Sequence, residues 1–268
     1  ASGSLDTVFS DFQQALSAVA VSPDNYAVRA DAVSKAQVLA STLNDLSSQV
    51  QTLRREAEAK ITTSVDDVNQ VLKTLETLNS RLTNQATDPS SRAVLLDQRD
   101  RLISQVAQIV DVRVDYRADG SVSLMTRSGV GLLDDKASVF EFQSAGSLSA
   151  TSQLSTDPTQ SQVGKLIIRT PAGLSLDAVQ QNVIRGGELG GLLELRDKTL
   201  VTAQDQLDEI AASLAMSLST VDKAGTAASS GSATGFEVDL SGVRNGNEIT
   251  LAYRQGGIDR TIRVVRVD

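Results

Sequence analysis

Cysteine, histidine and tryptophan are all missing from this 268-residue chain, and aromatic residues make up only 3% of it. Without cysteine there is no disulfide, no thiolate nucleophile, no iron–sulfur cluster and no thiolate zinc site. Without histidine the commonest general base and transition-metal ligand is gone, so any chemistry falls to carboxylates and lysines. Basic residues number 25 against 33 acidic ones, a net charge of −8. That balance argues against nucleic acid, whose phosphates are met by clustered Lys and Arg. No apolar run approaches the ~18 residues of a membrane span. Ala1-Ser2-Gly3-Ser4 lacks the charged and then apolar stretch of a secretory signal.

What remains is aliphatic. With 40% hydrophobic residues and few rings, the core must be thin, which suits long helices that need only about three apolar residues in seven. A first helix is predicted over 6–20, with Ser4 as N-cap and Val8, Phe9, Phe12, Leu16 and Val19 on one side. Ser22-Pro23 reads as a second helix start. From Pro23 to Asn84 there follow 62 residues without another Pro or any Gly, roughly 90 Å if continuous. Leu39, Leu43, Leu46, Val50, Leu53 and Ala57 alternate steps of four and three, as a coiled-coil seam requires. The seam continues through Ile61, Val65, Val68, Leu72, Leu75, Leu78 and Leu82, with a stutter near Ile61. Thr87-Asp88-Pro89 opens a third helix carrying Val94, Leu95, Leu102, Val106 and Ile109, antiparallel to the second because the connection is short.

At Val110 the period changes to two. Val112, Val114 and Tyr116, the turn at Asp119-Gly120, then Val122 and Leu124 predict a hairpin. Further apolar runs at Leu132-Leu133, 139–142 and 166–168 flank a Ser-rich stretch, 143–162, with the composition of a long surface loop. Helix returns after Gly186-Gly187-Glu188-Leu189-Gly190-Gly191, and twelve of the thirteen residues in 223–235 are Ala, Gly, Ser or Thr, a linker composition. Three strands follow, around Phe236, Ile249 and Ile262, with Asn245-Gly246 as a turn. The expected fold is α+β: an elongated antiparallel helical bundle with a long coiled-coil-like helix, plus small antiparallel β units. Its parts are a helical core over 1–110, a β-rich insertion over 111–185, a returning helix over 186–222, a flexible linker over 223–235, and a partial outer β domain over 236–268.

No constellation points to catalysis, a cofactor or a metal. The 186–191 glycines lack a following Gly-Lys-Ser/Thr and enclose the anionic Glu188, so a packing turn is the better reading than a phosphate loop. Asp66-Asp67, Asp134-Asp135, Asp97 and Asp100 do not follow calcium-loop spacing and read as solvated charges. There is no Gly-x-Ser-x-Gly, and no Ser stands three residues before a Lys. Arg54-Arg55 also reads as solvated, with Arg55 and Glu58 forming an exposed i,i+3 pair.

Specific strings go further than composition. Leu96-Asp97-Gln98-Arg99-Asp100-Arg101-Leu102-Ile103, followed by Val110-Asp111-Val112, resembles the helix-to-strand signature of the flagellar hook-associated protein 1 family. Gly186 to Gly191 with Leu192-Leu193-Glu194-Leu195-Arg196-Asp197, leading to Gln204, Leu207 and Asp208, is similar to a second signature of that family. The segment from Phe9 to Leu16, the Ser22-Pro23-Asp24 turn, and Ala36, Gln37, Leu39 and Ala40 match its region just after the terminal coiled coil. The likeness covers about 5–221.

The resemblance implies a structural, non-enzymatic part of the bacterial flagellum at the junction of hook and filament. It implies contact with the hook protein and with hook-associated protein 3, and self-association in a ring through terminal helices that have no match here. It further implies an export chaperone acting on a missing C-terminal segment, and export by the flagellar type III route to the cell exterior. On that reading this stretch is a central fragment and a monomer, without nucleic-acid or membrane partners. The competing reading is an extracytoplasmic ligand-sensing helical domain of a bacterial receptor, with a small-molecule pocket between helices.

Overall fold

Ser4 accepts the Thr7 amide at 3.3 Å and starts α1, Leu5–Val21, which buries Val8, Phe12 and Ala15 against the next helix. The buried line therefore runs through Ala15, leaving Leu16 on the exposed side. Ser22 ends α1 instead of opening α2, because its amide still bonds to Ala18 at 3.0 Å. Asn25 takes the capping role, its side-chain oxygen accepting from Ala27 at 3.0 Å, and α2 runs unbroken from Tyr26 to Asn84 over 59 residues. The computed structural model describes residues 3–84, 88–157, 159–244 and 246–267. Thr87 and Asn245, named above in a helix start and a turn, lie outside them.

Helix α3, Pro89–Ile109, is capped by Asp88, whose carboxylate accepts from the amides of Ser90 and Ser91 and is held well below the usual carboxylate range by the two serines. It packs back on α2 and ends at Val110, where β1 (Val112–Tyr116) and β2 (Val122–Thr126) form the expected hairpin, Tyr116 opposite Val122. β3, Gly131–Leu133, completes an antiparallel three-stranded sheet. A second sheet pairs β4 (Val139–Gln143) with β5 (Lys165–Arg169) and β5 with β6 (Ser175–Asp177).

Both sheets lay their apolar residues on the C-terminal half of α2. From Ile61 to Leu82 every seam residue is buried, together with Val122, Leu124, Leu132, Leu133, Phe140, Leu166 and Ile168. Each such Leu, Ile or Phe stabilises the fold by roughly 1.5–3 kcal/mol through loss of apolar surface to water. α4, Gly187–Glu194, adds Leu189 and Leu193 to the same core and continues through a π-helical turn, Leu195–Thr199, into α5, Leu200–Ser219.

Residues 1–212 and 213–268 form two compact units. In the second, the segment expected as a flexible linker forms a hairpin, β7 (Thr226–Ser230) with β8 (Ala233–Glu237). The Ser, Thr and Gly residues that interrupt the alanines disfavour a helix, and Gly231 at φ +63° supplies the tight turn, so backbone pairing decides. Phe236 consequently pairs backwards with Ala227 instead of opening a three-stranded meander. β9 (Glu248–Gln255) and β10 (Ile258–Val265) make a second hairpin across Gly256-Gly257, both at positive φ as a primed turn needs.

Candidate functional site

The residues just past the α2 seam carry the polar chemistry of the molecule. Positions 69, 76 and 79 each follow a seam residue, Val68, Leu75 or Leu78, and one step of about 100° puts them at its margin. Asn79 is buried and stands in for a strand: its Nδ2 donates to the Val122 carbonyl at 2.7 Å and its Oδ1 accepts the Val122 amide at 3.0 Å. Asn69 brackets Phe140 in the same way, both bonds 2.8 Å. Glu76 accepts from Lys73 at 2.8 Å, from the Ala137 amide at 3.0 Å and from Lys136 at 3.2 Å. These donors, Lys73 foremost, lower its carboxyl to about 2.

Two Arg-Asp doublets repeat one arrangement. Arg196, on the π-helical turn, is fully buried; its Nε and Nη2 donate to Asp197 at 2.7 and 2.9 Å, and Nη2 also donates to the Gly164 carbonyl at 3.0 Å. Its guanidinium lies 5.8 Å from the Phe142 ring centre. Arg99, on α3, donates Nε to Asp100 at 2.9 Å and Nη1 to the Gly120 carbonyl at 2.7 Å, and lies 5.0 Å from the Tyr116 ring centre. Each guanidinium thus joins its own helix to a glycine carbonyl and a ring in the β-rich part.

The Arg196 clamp has one more member. Glu58 of α2 receives Arg196 Nη1 at 3.2 Å and the Gly164 amide at 3.0 Å on the same oxygen, while its other oxygen accepts from Ser144 at 3.2 Å. A Cβ at Gly164 would stand 2.6 Å from that carboxylate and from Phe142, so only glycine fits. Arg54, one turn earlier and also fully buried, donates to the carbonyls of Ser149 at 3.1 Å and Ser152 at 2.6 Å. The wider π-helical turn admits both Arg196 and Asp197 to the interior.

Several sequence expectations change here. Arg54 is not solvated: it occupies the inner position between Val50 and Ala57, and Leu53 is exposed in its place. Glu58 is buried with Arg196 and does not pair with Arg55, which stays exposed and donates to Thr52 at 3.1 Å. Spacing held the signal, since 50, 54, 57 and 61 keep steps of four, three and four with a charge inside. Asp66 and Asp67 are exposed; Asp97 pairs with Arg101, and Asp134 and Asp135 face Arg117. Among the described residues no three carboxylates gather to hold a metal ion. Gly187, at φ +73°, brings the start of α4 against the end of α3, where a Cβ would lie 2.6 Å from the Ile109 carbonyl oxygen.

The arrangement therefore fixes the backbone of the β-rich part to helices with buried, hydrogen-bonded amides and charges. Residues 1–237 match the family model described as the flagellar hook-associated protein FlgK helical domain. Flagellar hook-associated protein 1 of Escherichia coli strain K12 is 27% identical over 225 residues, 83% of this chain and 39% of that protein. Its namesake from Salmonella typhimurium is 28% identical over 217 residues, 80% of this chain and 36% of the relative. The solved structure of the flagellar hook junction protein FlgK from Burkholderia pseudomallei superposes with a TM-score of 0.65 at 25% identity, covering 93% of this chain and 42% of that one. The chain spans about two fifths of the length of these relatives.

Proposed function

The chain belongs to the family of the flagellar hook-associated protein FlgK helical domain, and from that premise we propose that it is part of a structural protein at the junction of flagellar hook and filament. The observation that carries this reading is the family match over residues 1–237, which takes in α1 to α5 and both clamps. A 59-residue helix with two sheets bracketed to it suits a part whose work is to hold shape under load. The role proposed is not enzymatic: the buried charges here face one another and backbone groups.

In the full-length protein the partners would be the hook protein on one side and hook-associated protein 3 on the other. Ring formation belongs to regions beyond the family match, as does a segment that an export chaperone would hold, and the protein reaches the cell exterior by the flagellar type III route. Within the chain, 1–110 and 186–222 act as the helical core, 111–185 as its β-rich insertion and 236–268 as part of an outer β domain. The 268 residues alone are expected to sediment as a monomer.

Deleting the gene and examining cells by electron microscopy, with flagellin assayed in the medium, tests the role. Hooks without filaments and shed soluble flagellin are expected. Normal filaments in a strain without a second gene copy would overturn the reading and favour the ligand-sensing alternative.

A further inference from the structure

The long hairpin connection between β4 and β5 lies on α2 in a closed position that leaves buried polar atoms without partners, and we propose that residues 144–153 form a strap that lifts from α2 as a unit while both sheets stay in place. Its hold on the helix is polar and narrow. Arg54 bonds to the Ser149 and Ser152 carbonyls, Ser144 bonds to Glu58, and the one large apolar side chain it buries is Leu148. Its remaining bonds are largely its own: Ser152 donates its amide to Ser149 at 3.1 Å, and the Ser149 amide reaches the Ser152 hydroxyl at 3.0 Å.

Closure has a cost that opening relieves. Arg54 Nε and the Ser161 hydroxyl are buried with no hydrogen-bond partner, and Arg54 makes no ion pair among the described residues. Burial accordingly depresses the Arg54 pKa, with Asp197 and Glu58 opposing that shift from a distance. Ser161 shares the wall of an open cavity of about 550 Å³ with Ser147, Ser149, Thr151 and Ser152, so a strap that lifts has solvent beside it to receive its polar groups. The neighbouring strands lack that exit: Phe140, Leu166 and Ile168 are at most 2% exposed, and Asn69 brackets Phe140. An unsatisfied buried donor or acceptor is costly, whereas a lifted strap exposes little apolar surface.

Amide hydrogen exchange on the 268-residue chain, followed by NMR over low concentrations of denaturant, tests this. The amides of Ser152 and of Gln162, which donates to the strap's Gln153 carbonyl at 3.1 Å, are expected to exchange through an opening insensitive to denaturant, and those of Phe140 and Val122 through a steeply sensitive one. Ser161→Ala removes an orphaned hydroxyl and is expected to slow strap exchange about fivefold, with Phe140 and Val122 unchanged. Arg54→Met is expected to abolish strap protection and spare those two amides. Strap amides with the same denaturant dependence as Phe140, or a Ser161→Ala variant whose strap exchanges as fast as wild type or faster, would overturn the proposal.

Discussion

Arg196 and Arg99 do the same thing in two settings. Each binds the aspartate that follows it, a glycine carbonyl and an aromatic face. Asp197 is 4% exposed and Asp100 is 56% exposed, and Glu58 joins the first clamp while among the described residues the second has no such partner. The buried clamp is therefore an obligatory set, since removing one charge strands the others away from water. The exposed clamp is a local tie whose loose ends water can satisfy.

The widest gap between them should open on truncation of the arginines. Arg196→Ala leaves Glu58 and Asp197 as uncompensated buried carboxylates and is expected to cost about 3–5 kcal/mol. Urea unfolding followed by far-ultraviolet circular dichroism measures it, and a loss no greater than that of Arg99→Ala would remove the distinction. Asn79→Ala falls between the two: it strands the Val122 amide and carbonyl, two neutral groups, at about 2–3 kcal/mol in the same assay. Arg99→Ala, with Asp100 already wet, is expected to cost about 1–2 kcal/mol.

These side chains also mark where sequence reasoning stops. The apolar seam of α2 from Ile61 to Leu82 was readable because spacing alone decides which residues face inward. The β1–β2 hairpin was readable because Asp119-Gly120 sits between two alternating runs. Helix starts were half readable: Asp88 caps α3 beside Pro89, but Ser22 and Asn25 are chemically alike as caps and only the chain path chooses Asn25. Arg54, Glu58 and Arg196 escape local reading because the partners that join them to other elements lie 32 to 138 residues away, and no local pattern announces a carbonyl at Ser149 or Gly164. A charge at a seam position is the usable clue. It says that a distant acceptor must exist, without naming it.

Glu76 sharpens the comparison by titration, because it is a buried carboxylate satisfied by donors from both its own helix and the β-rich part. Its carboxyl lies near 2 in the folded chain against an ordinary 4.5, so the folded state holds it ionised where the unfolded chain would take up a proton. The stability it contributes is complete above 4.5 and disappears as pH falls towards 2. Glu76→Gln should therefore cost about 1 kcal/mol at neutral pH and flatten the decline of stability between those two values, checked by urea midpoints over the acid range. An unchanged pH profile would mean that the Lys73, Ala137 and Lys136 bonds do not distinguish the charged carboxylate.

The smallest effect belongs to a third arginine–aspartate pair, Arg101 with Asp97, one turn apart on α3 with side chains 72% and 64% exposed. It has the same two charged groups as the clamps, but no glycine carbonyl, no ring and no burial. Solvent competes for both partners and the long side chains lose rotamer freedom on pairing, so Asp97→Ala is expected to change stability by about 0.2–0.5 kcal/mol and to lose even that in high salt. Measured beside Arg99→Ala and Arg196→Ala, it separates the contribution of charge from that of enclosure. A salt-independent loss as large as that of Arg99→Ala would show that the aspartate acts through the α3 backbone, and the ordering of the three pairs by burial would fail.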